Sequence, residues 1–145
     1  MDKWITMKLL TFSFWLTLIL ATGHAFAEND VYNFDTIQTL MPASAFENEA
    51  RIHPKPSDFS IVRAIPMSTQ NGDRAALVVI KNMASGQRIL DSKHIVAIIA
   101  DGTRVFGNLT DAKVKLAGQE QITIKLEFGT FDYPIVSLYT SQSET

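Results

Sequence analysis

Gln121-Ile122-Thr123-Ile124-Lys125-Leu126-Glu127-Phe128 alternates apolar and polar side chains without a break. Successive side chains of a strand point to opposite faces, so the run marks a strand with one face in a core and one in water. Ile122, Ile124, Leu126 and Phe128 form the inward face. Fully buried, each contributes about 1.5–3 kcal/mol relative to exposure.

On the C-terminal side, residues Gly129 to Tyr133 read as a turn, Pro134 to Thr140 as a last strand and residues 141–145 as a polar tail. On the N-terminal side, Ala117-Gly118 closes a weaker strand over Asp111 to Leu116. Before it, the runs His94 to Ala100 and Thr103 to Phe106 flank Asp101-Gly102. This spacing predicts a hairpin, with both turn residues at the positive φ of a type I′ turn. Arg88 to Leu90 reads as a brief strand. The continuous apolarity of Ala75 to Lys81 predicts a central strand buried on both faces. Phe59 to Ile65 reads as a strand ended by Pro66 and the turn residues Gln70-Asn71-Gly72-Asp73.

About seven short strands with turn signals roughly every 8–12 residues predict an all-β antiparallel β-sandwich over residues 57–140. Residues 28–56 read as an irregular or partly helical N-terminal extension. Val31, Phe34, Ile37 and Leu40 share one spacing, which predicts one face of a short helix. Pro42 to Arg51 places good helix formers behind a proline suited to a first turn. His53-Pro54-Lys55-Pro56 then forces extended backbone, a stiff joint into the strand-rich part.

Leu116-Ala117-Gly118, the alternating strand Ile122 to Phe128 and a closing strand begun by Pro134 resemble the small immunoglobulin-like or fibronectin-III-like domains of exported bacterial proteins. The resemblance covers roughly Phe59 to Thr140 and lacks the antibody hallmark of paired cysteines around a tryptophan. It implies a binding or scaffolding module rather than an enzyme.

Residues 1–27 read as a secretory signal. Lys8 precedes the apolar run Leu9 to Leu20, and Ala25-Phe26-Ala27 supplies the small residues of a cleavage site. A membrane span needs about 20 apolar residues, and Thr22-Gly23-His24 interrupts this run earlier. Met7-Lys8 would itself make a compact start, so Met1 and Met7 are both candidate initiators. Cleavage after Ala27 leaves about 120 residues, room for one periplasmic or secreted domain with no membrane anchor. The chain has no cysteine. That excludes disulfides, cysteine-linked lipid, thiol catalysis and cysteine zinc sites. Both tryptophans, Trp4 and Trp15, belong to the signal. The net charge of −2 is small and its signs are interspersed. No basic stripe suits a nucleic acid.

The candidate chemistry is sparse. His53 and His94 have no partner at the spacing of H-E-x-x-H and read as surface or strand-end histidines. No G-x-S-x-G occurs, and Ser57, Ser60, Ser85 and Ser92 fall in turns or strand edges, where hydroxyls bond nearby backbone. Asp91, Asp101, Asp111, Glu120, Glu127 and Asp132 could supply a carboxylate pair from distant loops. However, the hairpin turn explains Asp101, and the solvent face of its strand explains Glu127. Gly102, Gly107, Gly118 and Gly129 are single turn glycines and cradle no phosphate. Asn108-Leu109-Thr110 is a formal glycosylation acceptor in a loop, relevant to a eukaryotic secretory pathway. No catalytic, cofactor-binding or metal-binding residue is therefore assigned, and no cofactor is expected.

Phe131 and Tyr133 hold the most functional promise. Aromatic rings in a loop anchor partners, or else cap the open end of the sandwich. Val31 to Phe46 likewise either covers a sheet edge or docks a partner. These features predict a non-catalytic exported binding or scaffolding module whose partner is another exported protein or envelope component. One alternative is a small carboxylate-dependent hydrolase or carbohydrate-processing enzyme, which needs two carboxylates about 5–10 Å apart. Another is a subunit of a cell-envelope assembly, paired through the N-terminal segment.

Overall fold

The computed structural model describes residues 30–36 and 39–143; the expected signal, Ile37 and the last two residues of the polar tail lie outside them. The strands are β1 (Asn33–Phe34), β2 (Phe59–Ser68), β3 (Asp73–Asn82), β4 (Arg88–Asp91), β5 (Val96–Ile99), β6 (Arg104–Phe106), β7 (Asn108–Leu109), β8 (Lys113–Leu116), β9 (Gln121–Thr130) and β10 (Ile135–Tyr139). They form a five-stranded sheet in the order β1-β2-β3-β9-β7, a three-stranded sheet β10-β5-β6 and the pair β4-β8. Every pairing is antiparallel. Helix is confined, among the described residues, to two short 3-10 turns, Ala43–Ala45 and Ser92–His94. None is long and apolar enough to cross a membrane.

All three sheets feed one core. Phe59, Ala76, Val78, Ile80, Leu126 and Phe128 come from the large sheet, Ala97, Ile99, Ile135 and Leu138 from the three-stranded sheet, and Leu90 and Leu116 from the β4-β8 pair. The arrangement is compatible with two layers packed face to face. In β9 the expected alternation holds: Gln121, Thr123, Lys125 and Glu127 are exposed, and Leu126 and Phe128 are buried. Ile122 and Ile124 remain half-buried, because β7 reaches only Leu126 and Glu127 and leaves the earlier part of β9 as an edge.

Several sequence expectations change. β3 is central, but its two faces differ: Ala76, Val78 and Ile80 are sealed on one, whereas on the other Ala75 is sealed and Leu77, Val79 and Lys81 are partly exposed. No described element covers that outer face for its full length. β2 does not stop at Pro66 but runs to Ser68. Proline lacks an N–H, and β2 tolerates it because Pro66 contributes its carbonyl to the outer side, accepting the Asp35 N–H at 2.9 Å.

His94 lies in a 3-10 turn rather than in strand β5. The β5-β6 hairpin forms, but the positive φ falls on Gly102 alone (+89°) and not on Asp101. Gly102 N–H donates to Ile99 O at 2.9 Å, so the loop is a type I turn followed by a left-handed glycine, not type I′. Asn108 and Leu109 form a strand rather than a loop. Segment 104–116 thereby pairs in turn with β5, β9 and β4, bridging the sheets along one flank. The turn expected from Gly129 starts later, because β9 continues to Thr130 across a register shift opposite Arg74 and Ala75.

The expected helices of the extension do not form. Residues 30–36 carry only the strand β1, and Pro42 to Arg51 yields just the turn Ala43–Ala45. Pro42 is extended (ψ 147°) and offers no side-chain cap, and the Arg104 guanidinium takes the carbonyls of Ala43 and Phe46 at 3.3 and 2.9 Å. A helix this short has too few internal bonds to offset nucleation.

Candidate functional site

The flank opposite segment 104–116 lies between β2 and β10. At one end the sheets are tied directly, Thr140 Oγ1 donating to Phe59 O at 2.8 Å. Toward the other end the N-terminal extension bridges them. Asn33 and Phe34 pair with Ser68 and Met67 of β2, and the Ser68 hydroxyl donates to Asp35 at 2.9 Å. The chain then crosses, and Met41 N–H donates to Val136 O of β10 at 2.8 Å. Leu40 packs against the main core between these two attachments.

Edge strands expose unpaired backbone groups and are commonly blunted by charges, prolines or bulges. β2 has all three: Arg63, Pro66 and a register slip between Ile61 and Arg63 that leaves Val62 bulged. β10, Ile135-Val-Ser-Leu-Tyr139, carries no charge and no proline, and its one such device is a register slip between Ile135 and Ser137 that leaves Val136 bulged. Among the described residues, Met41 supplies the single backbone bond from the extension to that strand. Beyond that bulge, the cover of β10 is the extension, which reaches this strand through one backbone bond.

Phe34, Met41 and Val62 are exposed along this flank, whereas Tyr32, beside Val31, turns onto the outer face of the large sheet, its ring 4.2 Å from the Lys125 ammonium of β9. Val31 and Phe34 are each 66% exposed, Met41 48%, Val62 56% and Tyr133 54%. The other large apolar residues exposed to that degree, Met83 and Ile89, lie elsewhere. Phe131 and Tyr133 are not brought together. Phe131 is half-buried against the core, its N–H bonded to Gly72 O at 2.9 Å and its carbonyl held by Arg74 at 2.7 and 3.0 Å. Tyr133 reaches solvent just before β10.

Arg104 anchors the later part of the extension to the outer face of the three-stranded sheet. Besides the two carbonyls it bonds the Tyr139 hydroxyl and lies over that ring, 5.4 Å from its centre. Ala43, Phe46 and Ile52 pack there on Val96, Ile98 and Tyr139. Arg104 is buried, its Nε has no hydrogen-bond partner, and no carboxylate pairs with it among the described residues. Beside it a hollow of about 710 Å³ lies between the 45–52 loop and the 100–104 hairpin, with Glu47, Glu49 and Asp101 on its lining. Arg104 was not singled out in the sequence. Its one signal there was a charge following Thr103 and leading directly into Val105-Phe106.

The two histidines separate. His53 is exposed and lies 3.3 Å from Asn48. His94 is buried and not at the surface: its Nδ1 accepts the Asp91 N–H at 2.9 Å, while Asp91 Oδ1 accepts the Lys93 N–H. The same Nδ1 lies 3.1 Å from Asp91 Oδ1 and 3.3 Å from Asp91 O. Burial holds the His94 pKa below its usual value, with Lys55 acting in the same direction against Asp91. Burial opposes ionisation of Asp91, but Lys55 at 3.1 Å, the Lys93 N–H and His94 outweigh it and hold the carboxyl below its usual range.

Three of the carboxylates weighed for catalysis make local bonds. Asp101 accepts the Thr103 N–H, Glu120 the Ala117 N–H and Glu127 the Lys125 ammonium. No group of three His, Cys, Asp or Glu among the described residues is placed to hold a metal ion. Comparison with protein-family models, curated proteins and solved structures finds no match.

Proposed function

We propose that the chain is an immunoglobulin-like β-sandwich that acts, after export, as a non-catalytic module docking an extended apolar strand of a partner along the β2/β10 flank. The observation that carries this reading is the coincidence of three features on one flank. An uncharged edge strand, a cover that reaches it through one backbone bond and the exposed side chains of Phe34, Met41 and Val62 all meet there. Strand addition draws affinity from main-chain bonds and specificity from alternate side chains. β10 offers the first, and Val62, Met41 and Tyr133 offer the second.

The test is affinity capture of exported proteins on the mature chain and two folded variants. One carries Val62→Arg and Tyr133→Ala on the flank; the other carries Met83→Ala and Ile89→Ala away from it. Capture lost only in the flank variant supports the reading. Capture that is absent, or that ignores the flank substitutions, rejects it.

A further inference from the structure

We infer that the strand docked on this flank is the N-terminal extension of a second copy of the chain, exchanged reciprocally; the inference rests on the docking reading above. Residues 30–36 and 39–46 bind their own chain through two ladder pairs, the Tyr32 ring beside Lys125, the Ser68 hydroxyl on Asp35, the Asp35 and Met41 backbone bonds, Leu40 and the Arg104 fork. Every one of these contacts can be made by the same residues of a neighbour. Exchange then costs no native contact outside the connecting loop.

The connecting loop favours opening. Residues 47–53 join the extension to Pro54, and Arg51 within them holds φ +52°, a left-handed conformation uncommon for a side chain of that size. The loop is closed mainly by Asn48, whose side chain spans the Ile52 N–H and carbonyl at 3.0 and 2.9 Å. Beyond it the chain is fixed again, Lys55 N–H donating to Lys93 O at 2.8 Å and Lys55 pairing with Asp91. A strained loop between two anchored segments is the hinge that domain exchange uses. In the closed monomer Val31, Phe34 and Met41 stay exposed.

The absence of cysteine gives a clean test. Asn33 and Ser68 are register partners, so Asn33→Cys and Ser68→Cys are made in separate chains, one with a larger tag, then refolded together and oxidised. Exchange predicts a mixed disulfide dimer at least about tenfold above that from Asn33→Cys with Gln87→Cys, because the matched pair is held at high effective concentration. It also predicts a dimer by light scattering for the unmodified mature chain. The inference is overturned if the Asn33→Cys/Ser68→Cys double variant closes within single chains while the mixture yields no more than the Gln87 control. Phe34→Cys with Met67→Cys, the next register pair, repeats the measurement should Ser68→Cys disturb folding. Failure of exchange leaves the docking reading to the capture experiment, which detects other partners.

Discussion

Asn82 shows how a single side chain stabilises loops that no strand reaches. It is sealed from solvent at the end of β3, and its amide donates to the carbonyls of Gly86, Leu116 and Ala117 while its oxygen accepts the Ala84 N–H. Asn82→Asp keeps the acceptor but replaces the donors with an oxygen facing those carbonyls. We expect a loss of about 3 kcal/mol, read as a lower urea midpoint at unchanged slope. Gly118 acts through space: a Cβ there would lie 1.9 Å from Ser85 O. Gly118→Ala must push the 83–86 loop away and should cost about 1–3 kcal/mol in the same measurement. The sequence marks Gly118 as a turn residue. It cannot reveal that the reason is a loop more than thirty positions earlier lying against it, because close approach depends on the tertiary fold.

At the scale of elements, the extension is the part whose attachment can be tested most directly. Arg104→Met keeps much of the aliphatic volume but removes the donors to Ala43, Phe46 and Tyr139. It should lower stability by about 1–3 kcal/mol and speed proteolysis in residues 39–53, followed by mass spectrometry. Lysine should rescue poorly, since an ammonium cannot reproduce the planar fork. Met41→Pro deletes the one N–H by which the described residues of the extension bond β10. It should cost about 1 kcal/mol while raising hydrogen exchange along β10 and concentration-dependent aggregation. Strand β9 was legible because its pairing, its outward face and its propensity agree. The helical reading of Val31 to Arg51 was less sound, because apolar residues there serve separate attachments: Phe34 of β1 on β2 and Leu40 in the core. Phe131 and Tyr133 read alike as loop aromatics, yet Arg74 and Gly72 pull the first onto the core. That distinction is carried by residues far away in the chain.

At the scale of the whole molecule, stability should depend on pH through the cluster that clamps the Pro54–Pro56 joint. His94 has a folded pKa below the ordinary 6.5, so the unfolded chain binds more protons once the pH drops under that value. Stability therefore declines from about pH 6.5 down to the folded pKa of His94, and the group contributes nothing to the slope above that window. Asp91, depressed below its ordinary 3.8, adds stability that is lost only as the pH falls through its lower folded value. Denaturation profiles between pH 7.5 and 5, an experimental range of about two and a half units, should slope downward in the wild type. They should be flatter in His94→Gln, whose side-chain oxygen can still accept the Asp91 N–H. An equal slope in both proteins would assign the acid sensitivity elsewhere.

Tyr139 also gives the protein an optical signature. With both tryptophans confined to residues 1–27, a processed chain emits only from Tyr32, Tyr133 and Tyr139. Tyr139 is the one buried beneath the extension, bonded to Arg104. Tryptophan fluorescence would therefore report whether residues 1–27 are retained in a purified sample. Once that signal is gone, quenching of the tyrosine emission by acrylamide becomes a readout, without labels, of whether the N-terminal arm is seated.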